Sequence, residues 1–400
     1  MDINEKIKSL AREFFPDMVD IRSYLHKNPE LSDHEYETSE YLKNICKELG
    51  LVVEEVKNST GFTALLDTKR KGKTIGFRTD IDALPIQENP RNLVKEKEVI
   101  SQKPHIMHAC GHDSHMAILI GTIKILSSLK DKLSGKIYFI FEEGEETGGG
   151  YEQMVDHLKD KGLDYIFANH IWPDYPTGKI MMKKGPVLAG CADLNFDILG
   201  RGGHGSRPDL CINPLTAACN IVTGLTSAWV NQIDISKTVT LGISAINGGS
   251  ANNVIPDICN IKGSLRYFDP DTGKKALQVF NKVVETTSLA HLCKVKYYDD
   301  HKIAVPPTIN DDDLADLYTS SVGEIMDGGV FEDEALYVSE SFSHYSQIAK
   351  TCLALIGTKN ETFGSGASLH NSCFDLDPES LYYGAVASSR FAYELLKTND

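Results

Sequence analysis

The sequence has no apolar run long enough to cross a bilayer. Its opening stretch, MDINEKIKSLAREFFPDMVDI, carries charges throughout and lacks the uninterrupted apolar core of an export signal. It has no basic surplus: 41 Lys and Arg face 56 Asp and Glu, and the net charge of -15 makes nucleic acid and anionic membranes poor partners. The nine cysteines are odd in number and keep no framework spacing, which argues against a disulfide scaffold and predicts a cytoplasmic protein whose thiols are free to ligate. Neither an internal repeat nor a low-complexity tract is found. What remains is a chain of 400 residues, 41% hydrophobic and 24% charged, long enough to bury a full core and to split into two domains.

One stretch is dense in chemistry. His108 to His115, HACGHDSH, places a thiol, three imidazoles and a carboxylate just before an apolar run from Met116 to Leu126 that predicts a buried helix. Cys110 and His112 are two apart, so an extended loop can project both to one side. Thiolate with imidazole suits zinc or a related divalent ion. The less favoured alternative for the stretch alone is a buried cysteine beside a helix-capping Asp113 and solvated histidines.

The first third of the chain reads as helices followed by strands. Ile3, Ile7, Leu10 and Phe14 form one helical stripe, Pro16 interrupts it, and Met18, Ile21 and Leu25 resume, which predicts two short helices or a kink. Ser32 and Glu35 read as a capping box for a helix ending before Gly50. GFTALLDT (61–68) and KTIGFRTD (73–80) read as a strand pair, and the polar segment 87–105 as a long surface loop. KIYFIF (136–141) and DYIFANH (164–170) read as strands buried on both faces. Strands alternating with helices imply an α/β sheet whose chemistry gathers beyond the carboxyl ends of the strands, where Asp80, Glu145 with Glu146, and His170 fall.

From Pro186 the pattern changes. A strand (ADLNFDILGR), a helix from Asn213 to Trp229 with Pro214 in its first turn, a strand over 238–246, another (DICNIKGSLRYF), a helix from Asp271 to Leu289 and a last strand (CKVKYY) give the order β-α-β-β-α-β. That is the ferredoxin-like arrangement. After about residue 305 the earlier signals return, with CLALIGT (352–358) as a strand and a final helix starting at Asp377 and Pro378. The expected fold is therefore α/β: a discontinuous domain, 1–185 with 305–400, whose central sheet is flanked by helices and collects the candidate site residues, and a small ferredoxin-like domain inserted over 186–304, whose unpaired edges make it the place for self-association.

Further ligand types stand at Glu145 and Glu146, at His170 and at His370. A two-metal hydrolase needs ions about 3.5–4 Å apart, a shared ligand and an open water position, and one thiolate, one carboxylate and three imidazoles would suffice. Of two adjacent glutamates, one can ligate while the other reaches the water. The bland alternatives are a solvated acidic turn for EEGEETGGG, a glycine turn at a domain edge for His204, and a surface or paired role for Arg266. His108 and His115 read as flanking rather than ligating. His26, His34, His157, His291, His301 and His344 read as structural or solvated.

The run HACGHD, the glutamate pair before a glycine triplet, HIWP, GGHGSRP, NVIPD followed by SLR, and SLHN together resemble the cocatalytic metallopeptidase family of aminoacylases and bacterial carboxypeptidases. Within it they resemble the branch of hippurate hydrolases, auxin-conjugate amidohydrolases and N-acetyl-diaminopimelate deacetylases. The match runs from about His26 to the last helix. It implies metal ligation by Cys110, His112, Glu146, His170 and His370, with two divalent ions (Zn, Mn, Co or Ni) as cofactors. It further implies Glu145 as general base and acid, and His204 polarising the carbonyl or oxyanion, in its own or a neighbouring subunit's site. Asn253 and Arg266 would hold the substrate carboxylate and Asp82 would orient a ligand. The implied activity is hydrolysis of the amide of N-acyl amino acids through a metal-bridging hydroxide, in a catalytic domain formed by 1–185 and 305–400, with 186–304 as the lid and dimerisation domain of a homodimer. A dipeptidase or carboxypeptidase of the same family is the alternative, and a catalytically silent metal-binding relative a further one. The chain departs from the branch at Glu142, Glu143 and Gly144, where Gln-Pro-Ala is usual, and at Ser341, where the branch has Asp.

Overall fold

Pro16 does end one helix and begin another. α1 (Ile3–Glu13) stops at Phe14, and α2 (Phe15–Lys27) carries the proline in its first turn, where a missing N–H costs nothing. The computed structural model describes residues 2–398. After α3 (Tyr36–Glu48) the first strands, β1 (Val52–Glu55), β2 (Phe62–Asp67) and β3 (Thr74–Asp80), lead through a long irregular segment to α4 (His112–Ser128). β4 (Lys136–Glu142), the short α5 (Tyr151–Leu158), β5 (Tyr165–Pro176) and β6 (Ile180–Met181) follow. Late in the chain come α6 (Asp312–Ile325), β7 (Val330–Phe331), β8 (Lys350–Lys359) and α7 (Glu379–Leu396).

These strands form one eight-stranded sheet in the order β1-β2-β4-β3-β5-β8-β6-β7. Two expectations are corrected. β2 and β3 do not pair; β4 lies between them, antiparallel to β2 and parallel to β3. Six consecutive buried residues of β4 leave it no polar face, so it belongs in the sheet interior with a partner on each edge. The Ser32–Glu35 capping box is also absent: α3 starts at Tyr36 without a side-chain cap, and both side chains are used elsewhere.

The core strands β3, β4, β5 and β8 run parallel, so their carboxyl ends share one edge. Asp80 is in register with Glu142 at that edge. β5 pairs with β3 only as far as Ala168 opposite Arg78, and His170 lies beyond, level with the loops that leave β3 and β4. The segment 87–105 is less of a surface loop than its polarity suggests. Glu88 and Lys97 are buried in it as an ion pair at 2.9 Å, and Glu88 also meets His26 at 3.0 Å.

The chain divides into two compact units, Met1–Gly185 with Ile309–Glu334 and His344–Asp400, and Pro186–Thr308 with Ala335–Ser343. The return of 335–343 to the second unit carries no mark in the sequence periodicity. In that unit the strands 190–199, 239–247, 258–267 and 294–297 are joined by helices Pro214–Gln232 and Pro270–Ala290. The sheet order is 239–247, 258–267, 190–199, 294–297, all antiparallel neighbours, which leaves 239–247 on an edge. Each unit has its own hydrophobic core. Among the described residues no helix is long and apolar enough to cross a membrane, and all nine cysteines are free.

Candidate metal centre

Gly111 turns the chain between Cys110 and His112. Its φ of +83° is open to glycine at little cost, and a Cβ there would lie 2.6 Å from Ile171 Cγ1. The turn makes His112 the first residue of α4, so that His112 and Cys110 face one side while Asp113 faces another, bonding Arg22 at 2.9 Å and His26 at 2.7 Å. His26 is therefore part of a buried ionic network. Burial and Arg22 work against its charge, but Asp113 and Glu88 more than offset them and push its pKa up.

The imidazoles are oriented from behind. His112 Nδ1 lies 2.9 Å from the Asp82 carbonyl and 3.0 Å from Asp82 Oδ1, so in the neutral ring, the form that ligates, Nδ1 carries the hydrogen and Nε2 has the lone pair. His170 Nδ1 donates to the Ile171 carbonyl at 2.7 Å, and its Nε2 stands 3.5 Å from Cys110 Sγ. His370 Nε2 lies 3.3 Å from Glu146 Oε1. His370 is held at φ +59°, a left-handed conformation unusual for a side-chain-bearing residue, with its N–H on the Ala109 carbonyl at 2.9 Å. That bond ties the segment bearing His370 to the residue before Cys110.

Two donor sets result, Cys110 with His112 and His170, and Cys110 with Glu146 and His370, the ligand atoms of each set lying within 4.8 Å of one another. The thiol is common to both. His112 Nε2 and Glu146 Oε1 are buried without a hydrogen-bond partner. A cation would satisfy both of these atoms, and the mixture of sulfur, nitrogen and oxygen suits a borderline-soft divalent ion. Burial pushes the Cys110 thiol up, so thiolate there needs a compensating positive charge. A further cluster, Asp80 with His112 and His115, has the spacing but not the lone pairs. His115 Nδ1 bonds Asp80 at 2.7 Å and its Nε2 accepts the Ile171 N–H at 2.9 Å, so both nitrogens are spent positioning the strand that carries His170.

Glu145 and Glu146 occupy a one-turn segment between Gly144 (φ +59°) and Gly148 (φ +67°). The Glu146 N–H bonds Asp82 Oδ2 at 3.0 Å, and Ser32 Oγ donates to the same oxygen at 2.6 Å. Asp82 thus orients His112 with one oxygen and anchors the glutamate turn with the other. Glu145 falls in a cluster with His112 and Glu146, beside the ligand atoms.

The departures from the branch pattern are absorbed rather than exposed. Glu142 receives a two-pronged bond from Arg78, both contacts at 3.0 Å, and one from Tyr345 Oη. Arg78 also holds Asp80 at 2.9 Å. Glu143 turns to Thr60. Sequence reasoning missed Arg78, Tyr345, Ser32, Glu35 and Thr60; the arginine inside the otherwise buried strand KTIGFRTD was a signal for the first, and the false capping box hid two others.

The three residues expected around the substrate lie in the second unit. His204 pairs across a short ladder with Val254, and its Nδ1 accepts from Ser206 Oγ at 2.8 Å, leaving Nε2 outward. Asn253 is next to that ladder, its carbonyl accepting the Gly205 N–H at 2.8 Å. Arg266 donates to Ser339 Oγ near the far end of strand 258–267, roughly 26 Å from its start at about 3.3 Å per residue. Asn253 thus stands beside the His204 ladder, and Arg266 near the other end of the strand that follows it.

A parallel sheet edge bearing paired acids beside a shared thiolate and three imidazoles is the apparatus of a metal-dependent hydrolase. The chain belongs to the family described as Peptidase family M20/M25/M40, which matches residues 76–394. It is 33% identical over 397 residues to a thermostable carboxypeptidase of Saccharolobus solfataricus, covering 98% of each chain. It is 32% identical to the hippurate hydrolase of Campylobacter jejuni, covering 99% of this chain and 100% of that one. A solved dinuclear metal-binding M20 peptidase from Bacillus subtilis superposes with a TM-score of 0.81 at 26% identity, covering 95% of this chain and 98% of that one. This protein is a metal-dependent hydrolase of mixed α/β fold with a divalent metal cofactor.

Proposed function

We propose that the protein cleaves the amide of N-acyl amino acids, with Cys110, His112, His170, Glu146 and His370 holding two divalent ions and Glu145 acting as base. The observation that carries this reading is the pair of donor sets sharing Cys110, with Glu145 beside them. When bound, the ions supply Lewis acidity to the scissile carbonyl and lower the pKa of water to about 7. Glu145 takes the proton of the attacking water and returns it to the leaving nitrogen. Asp82 keeps His112 in the ligating tautomer and holds the turn that presents both glutamates.

The second unit, with its β-α-β-β-α-β order and ferredoxin-like sheet, serves in this reading as lid and dimerisation module. Arg266 would grip the substrate carboxylate, for which a guanidinium is suited by its two-pronged geometry. In a homodimer the His204–Asn253 pair would serve the site of the other copy, with His204 on the oxyanion. Strand 239–247 is an edge, and Val230 and Ile235 beside it are 78% and 96% exposed. Nine free thiols suit a reducing cytoplasm.

The carboxypeptidase relative supports a second reading, a dipeptidase or carboxypeptidase. Metal-stripped protein reconstituted with Zn, Mn, Co or Ni and assayed on N-acetyl and N-benzoyl amino acids beside dipeptides separates the two. The expected outcome is metal-dependent hydrolysis with higher kcat/KM on N-acyl amino acids. A preference for dipeptides would hand the site to the second reading, and no hydrolysis of either class would remove both.

A further inference from the structure

Glu35 stands at the start of α3 but faces the catalytic loop. Its Oε1 accepts the Gly144 N–H at 2.9 Å and the Asp33 N–H at 3.0 Å, and its Oε2 lies 2.7 Å from Thr60 Oγ1. Glu143 Oε2 lies 2.7 Å from that same hydroxyl oxygen and also accepts the Thr60 N–H. A threonine hydroxyl has one hydrogen, so it donates to only one of the two carboxyl groups. The other, at hydrogen-bond distance from an oxygen with no further hydrogen to give, must carry its own.

The remaining contacts decide which. Glu143 Oε2 gathers the Thr60 amide and can take the hydroxyl hydrogen as well, the surroundings of an ionised oxygen. Glu35 Oε2 meets only the hydroxyl, so it is the oxygen placed to donate. Burial pushes the Glu35 carboxyl up to about 7, despite its hydrogen bonds to Thr60 and Gly144, and Asp82 adds to the rise. The titratable groups facing it are Glu143 from the loop after β4, Asp82 from the loop after β3, and Asp33 in its own turn, all carboxylates.

We propose that Glu35, Thr60 and Glu143 share one proton that fixes the loop presenting Glu145 and Glu146, which makes Glu35 a positioning residue for the hydrolysis. With the proton gone, two buried carboxylates compete for one hydroxyl. Glu143 is followed directly by Gly144, whose N–H is held by Glu35, so a shift of either carboxyl group is passed to the turn that begins there and carries Glu145 and Glu146. The site is thereby disarmed as pH rises.

The activity arm of the test rests on the amidohydrolase reading. In the metal-loaded full chain, kcat/KM against an N-acyl amino acid should fall on the alkaline side with a midpoint near the Glu35 value of about 7. Glu35→Gln offers a carbonyl to Gly144 and an amide hydrogen to Thr60 without titrating, and should lose that limb. Superimposable pH profiles overturn the proposal. An infrared arm is independent of substrate: the wild type should show the carbonyl stretch of a buried protonated carboxyl at about pH 6 that fades by about pH 8 and is missing from Glu35→Gln. Absence of that band at about pH 6 overturns the shared proton, whereas its presence in a chain that cleaves no N-acyl amino acid sinks only the amidohydrolase reading.

Discussion

Glu145 and Glu146 are neighbours with the same side chain, and their surroundings give them different chemistry. Glu146 is tied through its N–H to Asp82, and its Oε1 lies 3.3 Å from His370 Nε2 within the donor set that includes Cys110, which suits it to the proposed ligand role. Glu145 is carried on the same turn without being needed to complete either set. Glu145→Gln should therefore keep two-ion stoichiometry in calorimetric titration while losing about 10²–10⁴-fold in kcat, the usual worth of a positioned general base. Near-normal turnover would remove it from that role. At this scale the motif residues were readable as ligand types, because thiol, imidazole and carboxylate are rare in such density. Ser32 and Glu35 were misread because a capping box and a pair of buried anchors use the same residue types at the same spacing.

At the scale of the element, the turn at Gly111 joins the two proposed ligands of HACGHD to the buried helix α4. Alanine there would have to adopt φ near +83° and would press a methyl group into Ile171, the residue after the ligand His170. The left-handed conformation costs about 1–2 kcal/mol and overpacking about 1–3 kcal/mol more, which outweighs the gain of about 1 kcal/mol from alanine's helix propensity at a position outside the helix proper. Gly111→Ala should lower the urea midpoint and weaken metal binding at both donor sets, because Cys110 is shared between them. Unchanged metal affinity in the folded variant would show that the turn does not set the ligand geometry. The order of helices and strands was legible from periodicity, but pairing was not. KTIGFRTD follows GFTALLDT closely in sequence, yet the apolar KIYFIF strand takes the place between them because only an interior position satisfies both of its faces.

At the scale of the whole molecule, the proposed pairing of two copies makes a prediction that neither chain alone can meet. Val230, on helix Pro214–Gln232, is 78% exposed beside an apolar groove lined by Leu225, Trp229 and Leu241. A charge placed there should be harmless to a monomer and disruptive to a dimer. Sedimentation of the wild type at micromolar concentration should report a dimer and that of Val230→Asp a monomer, with kcat/KM falling in the variant as His204 and Asn253 lose the partner's substrate. A monomeric wild type of full activity would instead require a single chain to supply every residue.

The sequence by itself determined the alternation of elements, the inserted β-α-β-β-α-β segment and the chemical types gathered in HACGHD, EE, His170 and His370, because periodicity and local residue chemistry need no knowledge of the fold. Only the tertiary structure decided that Cys110 belongs to two donor sets at once and that Glu142 is neutralised by Arg78. It alone also decided that Glu35 reaches the loop of Glu145. Each of these turns on distances between residues remote in the chain, which the register of a sheet and the rotation of a buried side chain set and which no local pattern encodes.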